Sequence, residues 1–130
     1  MKPSIDMVTI PVKDIGQSAE FYRHIFKLDE DSISKGDDHI ALFFRHDVSL
    51  VLFDIQSFAE MTEQEIGYFS TASLILNQNV DSKEAVDQMI VAASEYGGKV
   101  LSKGQTDEWG YSAKFKDLDG VTWEIVSWNE

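Results

Sequence analysis

The stretch DLDGVTWEIVSW, residues 117–128, decides the fold of the C-terminal half of this chain. Asp119-Gly120 is a strong hairpin-turn signal, and the alternating residues after it predict a strand. Successive side chains of a strand point to opposite faces, so one face carries Thr122, Glu124, Val126 and Trp128. The other face is expected to lie beneath a helix. Glu124 is therefore a carboxylate on a core strand, and its position there needs a physical reason.

The residues before this strand extend the pattern towards the N-terminus. Strands are predicted over 72–80, 99–103 and 111–116. Asp81 and Glu84 form a capping-box pattern that predicts the start of a helix after the first of these strands. Gly97-Gly98 predicts the end of that helix, since glycine is common just after the last helical residue. The second half therefore has the order β-α-β-β-β.

The first half repeats this order. Residues 5–12 predict a strand, and Asp14 with Gln17 predicts the N-terminus of a helix. Further strands are predicted over 40–45 and 48–54, joined by a short turn. The halves share little sequence identity, so the repeat is one of pattern. Matching the hairpin ALFFRHDVSLVLF to AKFKDLDGVTWEI makes Leu52 the first-half counterpart of Glu124.

These elements predict an α+β fold built from two tandem βαβββ modules, each a curved sheet with a helix on its outer face. Residues 1–130 form a single domain, in which module 1 covers about residues 1–55 and module 2 about residues 71–130. A linker over about residues 56–70 has an apolar side and is expected to dock. Its stretch from Met61 to Phe69 is a candidate contact surface or lid.

The composition restricts the class of protein. The formal net charge is -12, which repels phosphate backbones and argues against a nucleic-acid partner. The chain has no cysteine, which excludes disulfides, thiolate zinc sites and a cysteine nucleophile. No apolar run approaches the roughly 20 residues that span a bilayer, and the N-terminus lacks the pattern of a signal peptide. We therefore expect a cytoplasmic protein without a membrane partner.

Three stretches resemble a known family: VTIPVKDIGQSAEFY (8–22), NVDSKEAVDQMIVAASEYGGKV (79–100) and FKDLDGVTWEIVSW (115–128). They are similar to the glyoxalase/bleomycin resistance/dioxygenase, or vicinal oxygen chelate, superfamily, and to a bacterial branch labelled predicted lactoylglutathione lyase. The resemblance implies a glyoxalase-like fold, in which two curved sheets enclose a cleft, and a homodimer. It also implies one of several functions, because the superfamily includes lyases, dioxygenases and metal-free drug-binding proteins.

The resemblance also suggests where metal ligands would lie. In metal-dependent members they are on the first and last strands of each module, at positions that correspond here to Met7, Leu52, Ser73 or Ile75, and Glu124. Only Glu124 is a good ligand, whereas a catalytic site generally needs about three protein ligands. His24, His39 and His46 share no ligand spacing and do not replace the missing ones. We therefore expect no metal ligand set and no cofactor, although a divalent metal held by an unusual set stays an alternative.

Strand alternation predicts the residues that line the cleft. They are Met7, Thr9, Leu50, Leu52, Ser73, Ile75, Asn77, Thr122 and Glu124, with Trp109 and Tyr111 at the rim. A mostly apolar cleft with a few polar groups is typical of a small-molecule site. Glu124 is either an acid/base whose pKa the apolar cleft raises, or a structural residue. In the second case Thr9, Thr122, Asn77, a water, Arg45 or Lys114 satisfies it.

We therefore expect a protein that binds a small organic molecule without a metal, with Glu124 as candidate acid/base. Two alternatives remain at this point. The first is a metal-dependent lyase or dioxygenase of the same superfamily with an atypical ligand set. The second is a non-catalytic protein that sequesters a drug or metabolite.

Overall fold

The computed structural model of the chain describes residues 2–129 and has an α+β fold. Its helices and strands are, in order, β1 (Met7–Val12), α1 (Ile15–Ile25), β2 (Ile33–Lys35), β3 (His39–Phe43), β4 (Ser49–Asp54), α2 (Ile55–Met61), β5 (Ile75–Asn79), α3 (Lys83–Glu95), β6 (Lys99–Thr106), β7 (Gly110–Lys116) and β8 (Thr122–Trp128). The chain forms two compact units. The first contains residues up to Arg23 and Lys27–Ser70, and the second contains His24–Phe26 and the residues from Thr71 onwards.

Each unit contains one four-stranded sheet, and both sheets have the same connectivity. The strand order is β1-β4-β3-β2 in the first unit and β5-β8-β7-β6 in the second. In each, the first and last strands of the unit pair in parallel and the other pairs are antiparallel. The predicted fold of two tandem βαβββ modules is confirmed. The sequence did not locate β2, because only three residues form it.

The register of the first sheet corrects the predicted position of Leu52. Leu52 pairs with Ile10 on one side and Ile40 on the other, so these three side chains share a face. That face is the core face: all three residues are buried, and Leu52 is fully so. The opposite face carries Met7, Thr9, Val51, Phe53, His39 and Ala41, and we refer to it as the Thr9 face. Leu52 therefore does not lie beside Met7 and Thr9.

The same register shows why the match between Leu52 and Glu124 is wrong. Thr9 pairs with Val51 in the first sheet, and Asn77 pairs with Glu124 in the second. Thr9 and Asn77 each lie three residues before the valine that precedes the helix, so Val51 is the counterpart of Glu124. Matching the hairpins by sequence displaced the alignment by one residue. A displacement of one residue moves a side chain to the opposite face of a sheet.

The second sheet has one face covered by α3. Val86, Ile90 and Ala93 of α3 are buried, as are the side chains that the sheet presents on that face, Ala113, Phe115, Trp123 and Ile125. The opposite face carries Asn77 on β5, Lys114 on β7 and Glu124 on β8, and we refer to it as the Glu124 face. The predicted division of the last strand, with Trp123 and Ile125 beneath a helix, is confirmed.

The helix ends follow from local hydrogen bonds. The carboxylate of Asp14 accepts a hydrogen bond from the Gln17 amide at 2.9 Å, as predicted. The predicted cap of α3 at Asp81 is wrong, because the N-cap is Ser82, whose hydroxyl accepts from the Ala85 amide at 3.1 Å. At the other end, Gly97 has a φ of 99°, a conformation that glycine adopts without strain.

The segment between the two sheets is ordered as helix and turns. Asp54 caps α2 by accepting from the Ser57 amide at 3.2 Å, and the helix ends at Met61. The segment up to Ser70 groups with the first unit. Of the helices in residues 2–129, none is both long enough and apolar enough to cross a membrane.

Candidate functional site

The Glu124 carboxylate has partners on both neighbouring strands of the second sheet. The Asn77 side-chain amide donates a hydrogen bond to Glu124 Oε1 at 3.3 Å. The Lys114 ammonium lies 3.6 Å from Glu124 Oε2. The register places all three residues in one row, because Glu124 pairs with Asn77 on β5 and with Lys114 on β7. Cross-strand neighbours of opposite charge stabilise such a row.

This row answers why a carboxylate lies on a core strand. Glu124 is on the face opposite α3, its charge has an ammonium beside it, and 32% of its side chain is exposed. Two of the partners that the sequence offered, Asn77 and Lys114, are those that the structure shows. Part of the Glu124 carboxylate is accessible, so a ligand can contact both this carboxylate and the Lys114 ammonium.

The surroundings of this row are partly apolar. Along β8, Thr122 and Val126 flank Glu124 on the same face and are buried. Ile75 pairs with Thr122 and is 64% exposed, so β5 presents an apolar side chain next to the polar row. Trp128 lies at the far end of the strand and donates from Nε1 to Asn79 Oδ1 at 2.8 Å.

The structure does not bring every predicted residue of the second half to the Glu124 face. Ser73 lies in a short 3₁₀ turn before β5 rather than on the strand. Tyr111 lies on the opposite face, where its hydroxyl donates to Asp87 Oδ1 of α3 at 2.7 Å. Trp109 is in the turn between β6 and β7, and its backbone carbonyl accepts from the Asn129 amide at 2.9 Å.

Tyr111 is held at α3 by several groups. The hydrogen bond to Asp87 raises the pKa of the Tyr111 phenol above its ordinary value of 10.0, and burial and the charges of Asp87 and Glu84 act in the same direction. The Lys83 ammonium lies 5.6 Å from the centre of the Tyr111 ring. The ring passes over Gly104, where any Cβ would collide with it. These contacts attach α3 to the sheet.

In the first unit, Met7 and Thr9 share the Thr9 face. Met7 is 59% exposed and Thr9 is half-buried. Val51, the counterpart of Glu124, lies between Thr9 and Ala41 in the sheet and is buried. The first unit therefore offers an aliphatic side chain where the second offers a carboxylate.

A cavity of about 850 Å³ lies elsewhere in the first unit, between α1 and the hairpin of β2 and β3. Its polar lining includes Glu20 and Arg23, which form an ion pair with each other at 2.8 Å. None of the residues that line it belongs to the predicted site.

Comparison with known proteins identifies the family of this chain. Residues 4–125 match the Glyoxalase/Bleomycin resistance protein/Dioxygenase superfamily. The chain therefore belongs to that superfamily, as the resemblance implied. No curated protein matches the chain.

Solved structures show the same fold. A hypothetical protein, SA1046, from S. aureus is 23% identical, with a TM-score of 0.82 over 98% of this chain and 94% of its own. A glyoxalase-related enzyme from Fulvimarina pelagi is 20% identical, with a TM-score of 0.83 over 95% of this chain and 87% of its own. A glyoxalase/bleomycin resistance protein/dioxygenase family enzyme from Burkholderia phytofirmans PsJN is also 20% identical, with a TM-score of 0.82 over 95% of this chain and 98% of its own. At these identities the likeness concerns the fold.

The side chains at the positions suggested for metal ligands do not fit a divalent ion. With the corrected register they are Met7, Val51, Ile75 and Glu124, of which only the last offers an oxygen. The ammonium of Lys114 lies 3.6 Å from that carboxylate and repels a second cation there. Among residues 2–129, no three His, Asp or Glu side chains lie close enough together to hold a metal ion.

Proposed function

We propose that this protein binds a small organic molecule on the Glu124 face of the second sheet, without a metal ion. The observation that carries the proposal is the row of Asn77, Glu124 and Lys114, a carboxylate and an ammonium side by side on the sheet face away from α3. Both charged side chains are about one-third to two-fifths exposed, at 32% and 40%. A ligand can therefore contact both without a rearrangement of the sheet.

The row defines the chemistry of the ligand. The Glu124 carboxylate accepts hydrogen bonds, and the Lys114 ammonium donates them. A matching ligand carries a donor and an acceptor on neighbouring atoms, as a hydroxy acid or a hydroxy ketone does. Ile75 and Trp128 are exposed on the same face and offer apolar surface to the rest of the molecule.

Glu124 is also the candidate acid/base of the proposal. A carboxylate within hydrogen-bond reach of a ligand hydroxyl can take its proton, and the neighbouring ammonium stabilises negative charge that develops on the ligand. The sequestering function differs from this only in the last step, because the same ligand would bind and leave unchanged.

A ligand screen tests the proposal. Wild-type protein is screened by thermal shift against small hydroxy acids and hydroxy ketones, with Trp128 fluorescence as a second signal. Glu124→Gln keeps the shape of the side chain, and we expect it to weaken the binding of a hit by at least about tenfold, as loss of a charged hydrogen bond does. Glu95→Gln on the exposed surface of α3 is the matched control, and it should bind like wild type.

The results distinguish catalysis from sequestration at the Glu124 face. Product that forms with wild type and not with Glu124→Gln supports the acid/base role. Binding without product, weakened in Glu124→Gln, supports sequestration at the same site. Equal affinity in wild type and Glu124→Gln would falsify the proposed site.

Metal independence has its own measurement. We expect the purified protein to contain no stoichiometric divalent metal, and its midpoint of thermal unfolding to be unchanged by a chelator. A stoichiometric divalent ion that is lost in Glu124→Gln would favour the metal-dependent alternative instead.

A further inference from the structure

The strands of the second sheet carry a charge opposite to that of the chain as a whole. Glu124 is the only acidic residue in β5, β6, β7 and β8. The same strands contain four lysines, which are Lys99, Lys103, Lys114 and Lys116. Four lysines against one glutamate give these strands a formal charge of +3, within a chain whose net charge is -12. A local positive potential attracts anions to this part of an acidic protein.

Two of these lysines lie side by side on the Glu124 face. Lys116 pairs with Thr122 of β8, which shares its face with Glu124, and Lys99 pairs with Lys116 from the other side. Side chains that are directly opposite on neighbouring strands have Cβ atoms about 4.5–5.5 Å apart, and like charges at such positions destabilise a sheet. Within residues 2–129, neither Lys99 nor Lys116 forms an ion pair with a carboxylate. The repulsion between the two ammonium groups is therefore not offset by an acidic side chain in direct contact.

The fold does not require this pair. A lysine on an edge strand prevents pairing with another chain, and that role accounts for Lys99 on β6. It does not account for Lys116, because β7 lies between β6 and β8. In the first sheet, the counterpart of Thr122 is Ser49, and Ser49 pairs with Phe43. The same connectivity is therefore formed with an aromatic residue at the position of Lys116.

The lysine pair is next to the row of Asn77, Glu124 and Lys114. Lys114 and Lys116 are two residues apart on β7 and lie on the same face, about 7 Å from each other along the strand. Lys116 is half-buried and Lys99 is exposed, so a ligand can reach both ammonium groups. A small molecule that contacts Glu124 and Lys114 can therefore extend to the lysine pair, because the long lysine side chains adapt to its length.

We propose that Lys99 and Lys116 form an anion subsite of the Glu124 face. The ligand then carries an anionic group, a carboxylate or a phosphate monoester, in addition to its hydroxy acid or hydroxy ketone unit. This inference rests on the proposed function, because it concerns the same ligand. The additional group accepts hydrogen bonds from both ammonium groups, and its negative charge offsets their repulsion. Carboxylate and phosphate share the charged oxygens that a lysine binds.

Two pairs of hydroxy acids test the subsite by titration calorimetry on the full chain. Malate differs from lactate by an additional carboxylate, and 3-phosphoglycerate differs from glycerate by a phosphate. We expect wild type to bind malate and 3-phosphoglycerate at least about tenfold more tightly than their partners, as charged hydrogen bonds allow. The two pairs show which of the two anionic groups the subsite takes. All titrations use the same ionic strength, because salt screens such contacts.

A double variant removes the subsite. Lys99→Gln with Lys116→Gln should bind the two members of each pair with equal affinity. The matched control, Lys27→Gln with Lys35→Gln, removes the same charge from two exposed lysines of the first unit and should keep the preference of wild type. In chloride alone, the Lys99/Lys116 variant should unfold at a temperature no lower than that of wild type, because a repulsion has been removed. This measurement separates a lost subsite from a lost fold.

Inorganic phosphate distinguishes the subsite from the proposed function. Phosphate binding that is kept in Glu124→Gln and lost in the Lys99/Lys116 variant supports the subsite even if no hydroxy acid binds. Equal affinities within both pairs in wild type, or the same preference in wild type and the Lys99/Lys116 variant, overturn the inference. Hydroxy acids that still bind in that case, and bind more weakly to Glu124→Gln, leave the proposed function intact.

Discussion

Val51 and Leu52 are neighbours in the chain, yet they have different surroundings. Val51 lies on the Thr9 face of the first sheet, and Leu52 lies with Ile10 in the core. The role of an apolar side chain on a strand is set by the face on which it lies, which the residue type alone does not reveal.

Leu52→Ala should reduce the free energy of unfolding by about 2–5 kcal/mol, because Leu52 is fully buried and its truncation leaves a cavity. Met7→Ala should change it by no more than about 0.5 kcal/mol, since Met7 is 59% exposed on the opposite face. Urea denaturation measures both. Similar effects for the two variants would contradict the assigned faces.

Tyr111 predicts a dependence of stability on alkaline pH. Its hydrogen bond to Asp87 raises the pKa of the phenol in the folded protein above 10.0, the value for an exposed tyrosine. The folded state therefore favours the protonated phenol, and this contribution is fully present below about pH 10. It is lost as the pH rises through the folded-state pKa.

Asp87→Asn should lower the pKa of Tyr111 towards the ordinary value, because the hydrogen bond to a carboxylate and its charge are removed. Difference absorption spectra of tyrosinate, with Tyr111→Phe used to assign the signal, measure the change. A Tyr111 pKa that is the same in wild type and Asp87→Asn would show that the hydrogen bond is not formed in solution.

At the scale of the element, α3 shows how a helix start is chosen between two adjacent candidates. Asp81 and Ser82 are both good N-cap residues, and the sequence pattern favoured Asp81 with Glu84. In the structure Ser82 has extended backbone angles and its hydroxyl accepts from the Ala85 amide. The helix starts one residue later than predicted.

Ser82→Ala should destabilise the protein by about 0.5–2 kcal/mol, because an amide of the first turn of α3 loses its acceptor. The adjacent Asp81→Ala should have a much smaller effect and serves as the control. Thermal or urea unfolding distinguishes them. A larger loss for Asp81→Ala would restore the cap that the sequence predicted.

At the scale of the whole molecule, the exposed apolar side chains of the segment from Met61, the last residue of α2, to Phe69 suggest a partner surface. Met61, Ile66 and Tyr68 are exposed by 55%, 46% and 80%. A chain with a net charge of -12 resists non-specific association, so an apolar surface that persists on it is a candidate for a specific contact. The homodimer implied by the family resemblance stays a prediction, and we expect this segment to be part of its interface.

Tyr68→Asp should weaken self-association by at least about tenfold, because it places a charge at an apolar contact. Sedimentation velocity over a concentration series measures the mass in solution. Val91→Asp, on the exposed surface of α3, is the control, since Val91 is 56% exposed outside this segment. A wild-type protein that sediments as a monomer at all concentrations would exclude the dimer, and a Tyr68→Asp variant that remains dimeric would place the interface elsewhere.

The sequence by itself determined the order of the strands and helices other than β2 and α2, together with the Asp14 cap, the glycine end of α3 and the Asp119-Gly120 turn. These depend on residues within a few positions of one another, whose preferences act locally. The repeated order of strands and helix in its two halves also determined the βαβββ arrangement of both units. Its motifs indicated the superfamily.

Only the tertiary structure decided which side chains meet. Glu124 contacts Asn77, 47 residues away, and which of its candidate partners it meets depends on the pairing register of β5, β7 and β8. The face of Leu52, the attachment of Tyr111 to α3 and the stacking of His39 on Phe53 depend on register in the same way. Register is set by the packing of whole faces, so a one-residue difference that barely changes the sequence pattern moves a side chain to the opposite side of the sheet.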